Sequence, residues 1–298
     1  MPGWKTLADE TREAGNVYDV IRRKYLQQLY ELTGRNTIAY YSSWLQKPPT
    51  QMSTYAAMLV NDSDKNGFMA TIHTLDRTKG LDLILHTPGG ETAATESIVD
   101  YLRAMFHDDI RALVPQIALS AGTMIACAAR EIVMGAHSSL GPIDPQINGM
   151  AAHGVVEEFN RATSEITRDP KTIPVWAPII QKYNPTLIGE CEKAIAWSTE
   201  MVSEWLKSGM FASAADRDQR VAKILSELGD HALTKSHARH ISLNKAQEMG
   251  LNVVPLEQDS KLQEAVLSVH HSYIQTLAAT SVLKTIENHL GVAFSTHA

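Results

Sequence analysis

The sequence predicts an α/β fold with a largely parallel sheet, because short apolar runs alternate with helical stretches along the middle of the chain. The run Leu81–His86 precedes a helical stretch from Thr92 to Phe106. Ile110–Leu119 likewise precedes a small-residue helix from Ala121 to Ala129, and Ile132–Met134 is a third apolar run. Two successive strand–helix units that lead into another strand are typical of sheets with helical crossovers.

The segment before these units supplies a helix, a strand and a second helix. Apolar residues recur at helical spacing between Glu10 and Thr33, and Gly34 ends the pattern. Asn36–Leu45 is rich in β-branched and aromatic residues, which favours a strand. A polar stretch over residues 61–65 then leads into a predicted helix from Gly67 to Leu75.

The segment after residue 145 is less regular. Residues 149–178 hold few clear elements, whereas a helix capped by Asn184 and stopped by Gly209 is well defined. Another helix is predicted over residues 216–228. His240–Pro255 predicts a short helix and a terminal strand, and Lys261–Leu290 predicts a final helical region.

The length of 298 residues suits one large domain with appendages. We expect a main domain over residues 36–256, a helical segment over 1–35 and a second helical segment over 257–298. These last two segments carry no motif that indicates a function.

The composition argues for a cytoplasmic protein that binds neither nucleic acid nor membrane. The formal net charge is −6, and no concentrated basic face is evident. No run of 18 uncharged apolar residues occurs, and the N-terminus lacks the apolar core of a signal peptide. Cys127 and Cys191 predict buried free thiols, which suit a reducing compartment.

The sequence indicates no cofactor and no metal. It contains neither a Walker loop nor a G-x-G-x-x-G motif. His231, His237 and His240 lie close together, but they lack cysteine partners and the H-E-x-x-H pattern of a zinc site.

Two small clusters follow successive predicted strands, where α/β folds place their active sites. The first is His86-Thr-Pro-Gly-Gly90, whose glycines can expose backbone amides toward a developing oxyanion. The same turn could cradle a phosphate or be purely structural.

The second cluster contains Ser120 at a strand-to-helix junction, with Ala121 and Gly122 after it. Ser120 is either a nucleophile or an ordinary helix cap. It is not part of a G-x-S-x-G elbow, because Ala118 replaces the first glycine.

The motifs T-P-G-G, S-A-G-T and L-G-P-I-D-P-Q, in this order, resemble the Clp-protease and signal-peptide-peptidase-A superfamily. The third motif is similar to the serine dehydrogenase proteinase family. The resemblance is best over Leu81–Gln146 and looser over Pro185–Pro255. It implies a Clp/crotonase-like fold of repeated β-β-α units, and a homo-oligomer.

The resemblance also implies roles for matching residues. Ser120 matches the nucleophile, Gly90 and the Ala121 amide match the oxyanion hole, and Gly89 shapes the same turn. Asp144 either holds its own turn or lines the cleft as a binding residue.

The general base is the hardest position to assign from the sequence. Clp proteases carry a histidine after the catalytic helix, but here that stretch reads Ile143-Asp-Pro145, and His137 and His153 do not match the motif. Signal-peptide-peptidase-like members use a lysine instead, and Lys193 in Glu-Lys-Ala-Ile is the best match. Its helical position lies away from the apolar stripe, so a solvated lysine is the alternative. Lys182 and Lys171 are the other candidate bases.

Three functions follow from these observations. The first is a serine endopeptidase that cleaves a peptide or protein substrate through an acyl-enzyme on Ser120, with a lysine as general base. The second is a crotonase-like enzyme that acts on an acyl-coenzyme A. The third is a catalytically inactive interaction module that keeps the same fold.

Overall fold

The computed structural model describes residues 18–48, 52–229 and 236–298. The strands are, in chain order, β1 (Asn36–Ser42), β2 (Leu81–His86), β3 (Ile110–Val114), β4 (Ile117–Ala118), β5 (Glu131–Met134), β6 (Ser139–Leu140), β7 (Gln146–Ile147), β8 (Met150–Ala151), β9 (Ile241–Ser242), β10 (Val253–Pro255), β11 (Val282–Asn288) and β12 (Ala293–His297).

The helices are, in chain order, α1 (Tyr18–Thr33), α2 (Met52–Met58), α3 (Asp64–Ile72), α4 (Thr92–Phe106), α5 (Ala121–Cys127), α6 (Ala152–Arg168), α7 (Ile173–Ile180), α8 (Leu187–Ser208), α9 (Arg217–Gly229), α10 (Leu243–Met249) and α11 (Ser260–Ala279). Among the described helices, none is long and apolar enough to cross a membrane.

A seven-stranded sheet forms the centre of the molecule, in the order β10–β5–β3–β2–β1–β11–β12. The first five strands of this order run parallel, and β11 and β12 are antiparallel to their neighbours. The predicted α/β class with a mostly parallel sheet is therefore confirmed.

Both faces of this sheet are covered, because side chains alternate along each strand. Leu83 and Leu85 of β2 lie on one face, in a core with residues of α4, α5, α8 and α9. Ile84 lies on the other face, in a second core with α1 and α11. A near-continuous apolar run such as Leu81–His86 is what a strand buried on both faces requires.

A second, three-stranded sheet lies beside the first, in the order β4–β6–β9. Strand β4 is parallel to β6, and β9 is antiparallel to β6. The predicted strand Ile110–Leu119 is thus two strands, one in each sheet, because Pro115 separates β3 from β4.

Local signals in the sequence locate the predicted short helix near the C-terminal end of the domain. Ser242 caps α10, because its side chain accepts a hydrogen bond from the Lys245 amide at 3.4 Å. Gly250 ends the helix in the left-handed conformation, with φ of 106°. Strand β10 follows, so the prediction for His240–Pro255 is confirmed.

The prediction of a helical C-terminal segment over residues 257–298 is wrong beyond Ala279, where α11 ends and β11 and β12 follow. Val282, Ile286 and Leu290 recur at helical spacing, which mimics a helix in the sequence. Pairing of β11 with β1 on one side and β12 on the other overrides that pattern.

The helical prediction for residues 1–35 is confirmed over Tyr18–Thr33, and residues 1–17 lie outside the described residues. The segment 149–178, for which the sequence indicated few elements, contains α6 and α7. Both predicted free thiols, at Cys127 and Cys191, are unpaired and buried.

Buried charged and polar side chains connect β11 to α1 and α11, the helices that cover one face of the sheet. Glu287 is fully buried and pairs with Arg22, and it accepts a hydrogen bond from Arg23 at 2.7 Å. The Tyr273 hydroxyl of α11 donates to the same carboxylate at 2.8 Å. An unpaired buried carboxylate would be very costly, so these partners determine how α1 and α11 pack against the sheet.

A histidine-rich cluster lies where β2 ends, on the face covered by α11. His86 is fully buried, and its ring lies 4.5 Å from Trp44 and 5.3 Å from both Tyr41 and His270. Neither ring nitrogen of His86 has a hydrogen-bond partner in the described part of the chain. Burial therefore lowers the pKa of His86 from 6.5 to about 3.

This pKa predicts acid destabilisation. The folded protein binds the proton more weakly than the unfolded chain, so the contribution of His86 is full above pH 6.5 and is lost as the pH falls toward 3. Between pH 7 and pH 5 we expect wild type to lose about 2 kcal/mol of unfolding free energy more than His86→Phe. Urea denaturation at both pH values measures this difference, and equal losses in the two proteins would contradict it.

Candidate active site

Ser120 occupies a backbone conformation that few L-residues adopt. It lies between β4 and α5 with φ of 50° and ψ of −117°. It stands at the N-cap position of α5, yet its side chain makes no capping hydrogen bond. The alternative that Ser120 is an ordinary helix cap is therefore wrong.

Positive φ at a non-glycine residue costs about 1–3 kcal/mol and persists only where the surroundings enforce it. The other two non-glycine residues with positive φ in the described ranges, His107 and Asn148, are exposed. Ser120 is half-buried, and the turn around it is closed by the Gly122 amide, which donates to the Leu119 carbonyl at 2.8 Å.

The turn after β2 lies directly against Ser120. The Thr87 amide donates to Ile117 at 3.2 Å, and the Leu119 amide donates to Thr87 at 3.0 Å, so the turn extends the small sheet. Gly89 has φ of 100°, and a Cβ there would lie 2.6 Å from the Ser120 Cβ. Only glycine provides both this conformation and this close approach.

Gly90 forms a parallel β-bridge with Val60, which lies in the segment before α3. The Val60 amide donates to Gly89 at 2.9 Å, and the Glu91 amide donates to Val60 at 2.9 Å. In a parallel bridge of this kind, the N–H of the central residue points away from the partner. The Gly90 amide is thus directed away from Val60.

The Ala121 amide is a second donor at the same place. Ala121 is the first residue of α5, where an N–H has no acceptor within the helix. Thr123 of that helix accepts a hydrogen bond from the Gly141 amide at 2.9 Å and donates to Ala118 at 2.8 Å. These bonds fix α5 against both β4 and the chain after β6.

A carboxylate–imidazole pair lies at the same edge of the small sheet. Asp144 is fully buried, and the Nδ1 of His237 lies 2.8 Å from its Oδ1. Since an ionised carboxylate only accepts, Nδ1 is the donor in this pair, and in a neutral imidazole Nε2 is then the nitrogen that can accept a proton. Gln146 donates a further hydrogen bond to Asp144 at 3.0 Å.

The strand register shows that Ser120, Asp144 and His237 belong to segments at the same edge of the small sheet. Ala118 of β4 pairs with Leu140 of β6, which pairs with Ile241 of β9. Ser120 follows β4, Asp144 follows β6, and His237 precedes the antiparallel β9. All three segments therefore lie at one edge of the small sheet, with the serine, carboxylate and imidazole in the chain order Ser–Asp–His.

The sequence analysis considered His237 only as a metal ligand, a role that it rejected, and its pairing with Asp144 was not foreseen. The two residues are 93 positions apart, so no local spacing connects them. No group of three or more His, Cys, Asp or Glu side chains in the described ranges could hold a metal ion. His231 lies outside those ranges.

The three candidate lysines lie on exposed surface. Lys193 is exposed on α8, whose buried face carries Ser198, Met201 and Val202. Lys182 and Lys171 are also exposed. Within the described residues, none of these amines hydrogen-bonds Ser120, Asp144 or His237. The structure thus brings Gly89 and Ser120 together, places Asp144 at the same edge of the small sheet, and leaves Lys193 on exposed surface.

Comparison with known proteins shows which family this chain belongs to. The model of the ClpP-like SDH-type serine proteinase family matches residues 20–287, so the chain belongs to that family. The resemblance drawn from the T-P-G-G, S-A-G-T and L-G-P-I-D-P-Q motifs is therefore confirmed.

Two curated relatives come from Methanocaldococcus jannaschii, and both are uncharacterized proteins. One is 28% identical over 221 residues, which is 74% of this chain and 67% of the relative. The other is 28% identical over 199 residues, which is 67% of this chain and 60% of the relative.

The bridge between Val60 and Gly90 predicts that alanine cannot replace Gly90. A Cβ there would lie 2.2 Å from the Val60 oxygen and 2.4 Å from its nitrogen, both of them backbone atoms. We expect Gly90→Ala to lower the unfolding free energy by about 1–3 kcal/mol, measured by urea denaturation.

Gly189 of α8 is the matched control, because nothing lies within 4 Å of the position that a Cβ would occupy there. In an exposed helix, Gly189→Ala should stabilise the protein by about 0.5–1 kcal/mol. Equal effects of the two substitutions would show that the close contact with Val60 is absent.

Proposed function

We propose that this protein is a serine endopeptidase, with Ser120 as nucleophile and His237, oriented by Asp144, as general base. Membership of a serine proteinase family supports peptide hydrolysis. The observation that carries the assignment of the base is the buried Asp144 carboxylate, 2.8 Å from the Nδ1 of His237. This replaces the lysine that the resemblance implied.

The residues of this chain account for each step. Nε2 of His237 takes the proton of the Ser120 hydroxyl while Oγ attacks the carbonyl carbon of the scissile peptide bond. The Gly90 and Ala121 amides donate to the resulting oxyanion. His237 then protonates the leaving amine, and the C–N bond breaks.

The acyl-enzyme is hydrolysed by the same groups in reverse roles. His237 takes a proton from water, whose oxygen attacks the ester carbonyl, and the second oxyanion occupies the same amides. The proton returns to Ser120 Oγ as the acid product leaves. Asp144 remains ionised and stabilises the imidazolium that forms in each half-reaction.

The strained backbone of Ser120 supports a nucleophilic role. A hydroxyl without a capping bond is free to meet a substrate, and positive φ at such a residue clusters at active sites. The crotonase-like alternative does not require this serine, and the inactive-module alternative does not require a buried Asp144 paired with His237. Both alternatives are therefore less well supported than the peptidase.

We further propose that the protein is a cytoplasmic homo-oligomer, as the resemblance implies for members of this superfamily. A neighbouring subunit could bury the exposed face of α8, and this is the arrangement in which Lys193 could serve as the base. The His237 and Lys193 hypotheses therefore differ in which substitution removes activity.

The nucleophile is tested first. We expect Ser120→Ala to cut the rate of hydrolysis of a fluorogenic peptide library at least about 1,000-fold, because the acyl-enzyme cannot form. A fluorophosphonate probe should label wild type at Ser120 and leave the variant unlabelled. Full activity of Ser120→Ala in a preparation free of other peptidases would refute the proposal.

The base is tested by comparing three variants with the same substrate. We expect His237→Ala and Asp144→Asn each to lower kcat by about 10³–10⁴-fold, because the proton acceptor is lost or misoriented. Lys193→Ala should keep kcat within about twofold, as expected for an exposed lysine outside the reaction. The reverse pattern would assign the base to Lys193 and reject His237.

A further inference from the structure

A buried ion pair lies behind the turn that carries Gly90. Lys284 of β11 is 2% exposed, and Asp64, the first residue of α3, is fully buried. The Lys284 Nζ lies 2.6 Å from Asp64 Oδ1. This pair lies outside the groups assigned above to the chemistry.

Both members of the pair hold the segment that includes Val60. Lys284 Nζ donates to the Leu59 carbonyl at 2.7 Å. The Asn61 amide donates to Asp64 Oδ2 at 3.1 Å. The residues immediately before and after Val60 are thus tied to one ion pair.

That segment is in turn the support of the Gly90 turn. Val60 donates to Gly89 and accepts from Glu91, each at 2.9 Å, so it bonds on both sides of Gly90. A displacement of Val60 would therefore move the Gly90 amide. A chain of direct contacts leads from Lys284 through Leu59 and Val60 to the oxyanion donor.

A second connection reaches the start of the same turn. The Tyr40 hydroxyl donates to Asp64 Oδ2 at 2.8 Å, and β1, which contains Tyr40, pairs with β2 up to His86, the residue before Thr87. Thr87 is the residue that pairs with Ala118 beside Ser120. Asp64 therefore contacts the Val60 segment directly and is linked through Tyr40 to the strand that leads into the turn.

A buried ion pair is not needed for stability alone, because well-packed apolar residues often replace such pairs without loss. What an ion pair adds is a defined geometry for the polar groups around it. The Lys284 Nζ is occupied by the Asp64 carboxylate and the Leu59 carbonyl, so we assign Lys284 no part in the proton transfers.

We propose that Lys284 and Asp64 are positioning residues, which hold the Val60 segment so that the Gly90 amide is aimed at the oxyanion. The inference rests on the proposed peptidase function. On this proposal β11, which is remote from Gly90 in the sequence, affects the rate of acyl transfer and not the binding of substrate.

The test is the kinetics of Lys284→Met and of the double variant Lys284→Met with Asp64→Asn. We expect each to lower kcat by about 10–100-fold with little change in KM, because a misaimed donor weakens transition-state binding only. The double variant leaves no uncompensated buried charge, so it should be more stable than Lys284→Met.

Stability and kcat, measured together, distinguish a positioning role of the Lys284–Asp64 pair from a purely structural one. If the double variant regains both wild-type stability and wild-type kcat, the pair is merely structural and the proposal is overturned. If it regains stability while kcat stays low, the proposal holds. Should Lys284→Met fail to fold, the double variant alone decides.

Glu287→Gln is the matched control. Glu287 lies on the same strand in a comparable buried charge network with Arg22 and Arg23, but on the face remote from the Val60 segment. We expect it to lose stability while kcat per folded molecule stays within about twofold of wild type. A fall in its kcat equal to that of the Lys284 variants would contradict a specific positioning role.

Hydrogen exchange separates failure of this inference from failure of the proposed function. Mass spectrometry would follow the amides of residues 58–61 and 87–91 in Lys284→Met and in wild type, without any substrate. We expect exchange at least about tenfold faster in both segments of the variant, because their support is released. Unchanged exchange would overturn the inference even if the protein is an active peptidase, whereas Ser120→Ala tests the peptidase itself.

Discussion

The backbone of Ser120 is the constraint on which the rest of the site depends. Its positive φ places the side chain outside the helix that it begins, where its oxygen is free of a capping bond. Such a conformation persists only because neighbouring backbone holds it, and the Thr87 and Leu119 pairing supplies that support on one side. The Thr123 hydroxyl, bonded to Ala118 and Gly141, supplies it on the other.

The candidate site lies along a row of chain segments that are joined side by side by backbone hydrogen bonds. The Val60 segment supports the Gly90 turn, the turn pairs with β4, and β4 pairs with β6 and β6 with β9. In the proposed site, the Gly90 amide, Ser120 with the Ala121 amide, Asp144 and His237 come from successive members of this row. Because each pair is joined by backbone hydrogen bonds, the relative positions of these groups depend little on flexible side chains.

Buried charge has two separate uses on the two faces of β11. Glu287 joins that strand to α1 and α11 through Arg22, Arg23 and Tyr273. Lys284 points to the opposite face, where it meets Asp64 and the Leu59 carbonyl next to the active-site turn. Strand β11, which the sequence pattern wrongly predicted as a helix, therefore contributes both to the packing of the sheet and to the support of the Gly90 turn.

The sequence by itself determined the alternation of strands and helices from Leu81 to Met134, the turn at Gly89 and the strand-to-helix junction at Ser120, although it did not divide Ile110–Leu119 into two strands. These follow from local patterns: apolar runs between breakers, and small residues where backbone must approach backbone. Tertiary structure alone decided that β11 is a strand, that Lys193 lies on exposed surface, and that His237 pairs with Asp144. The physical reason is distance along the chain, because strand pairing and a carboxylate–imidazole contact across 93 positions leave no periodic trace in either partner's own neighbourhood.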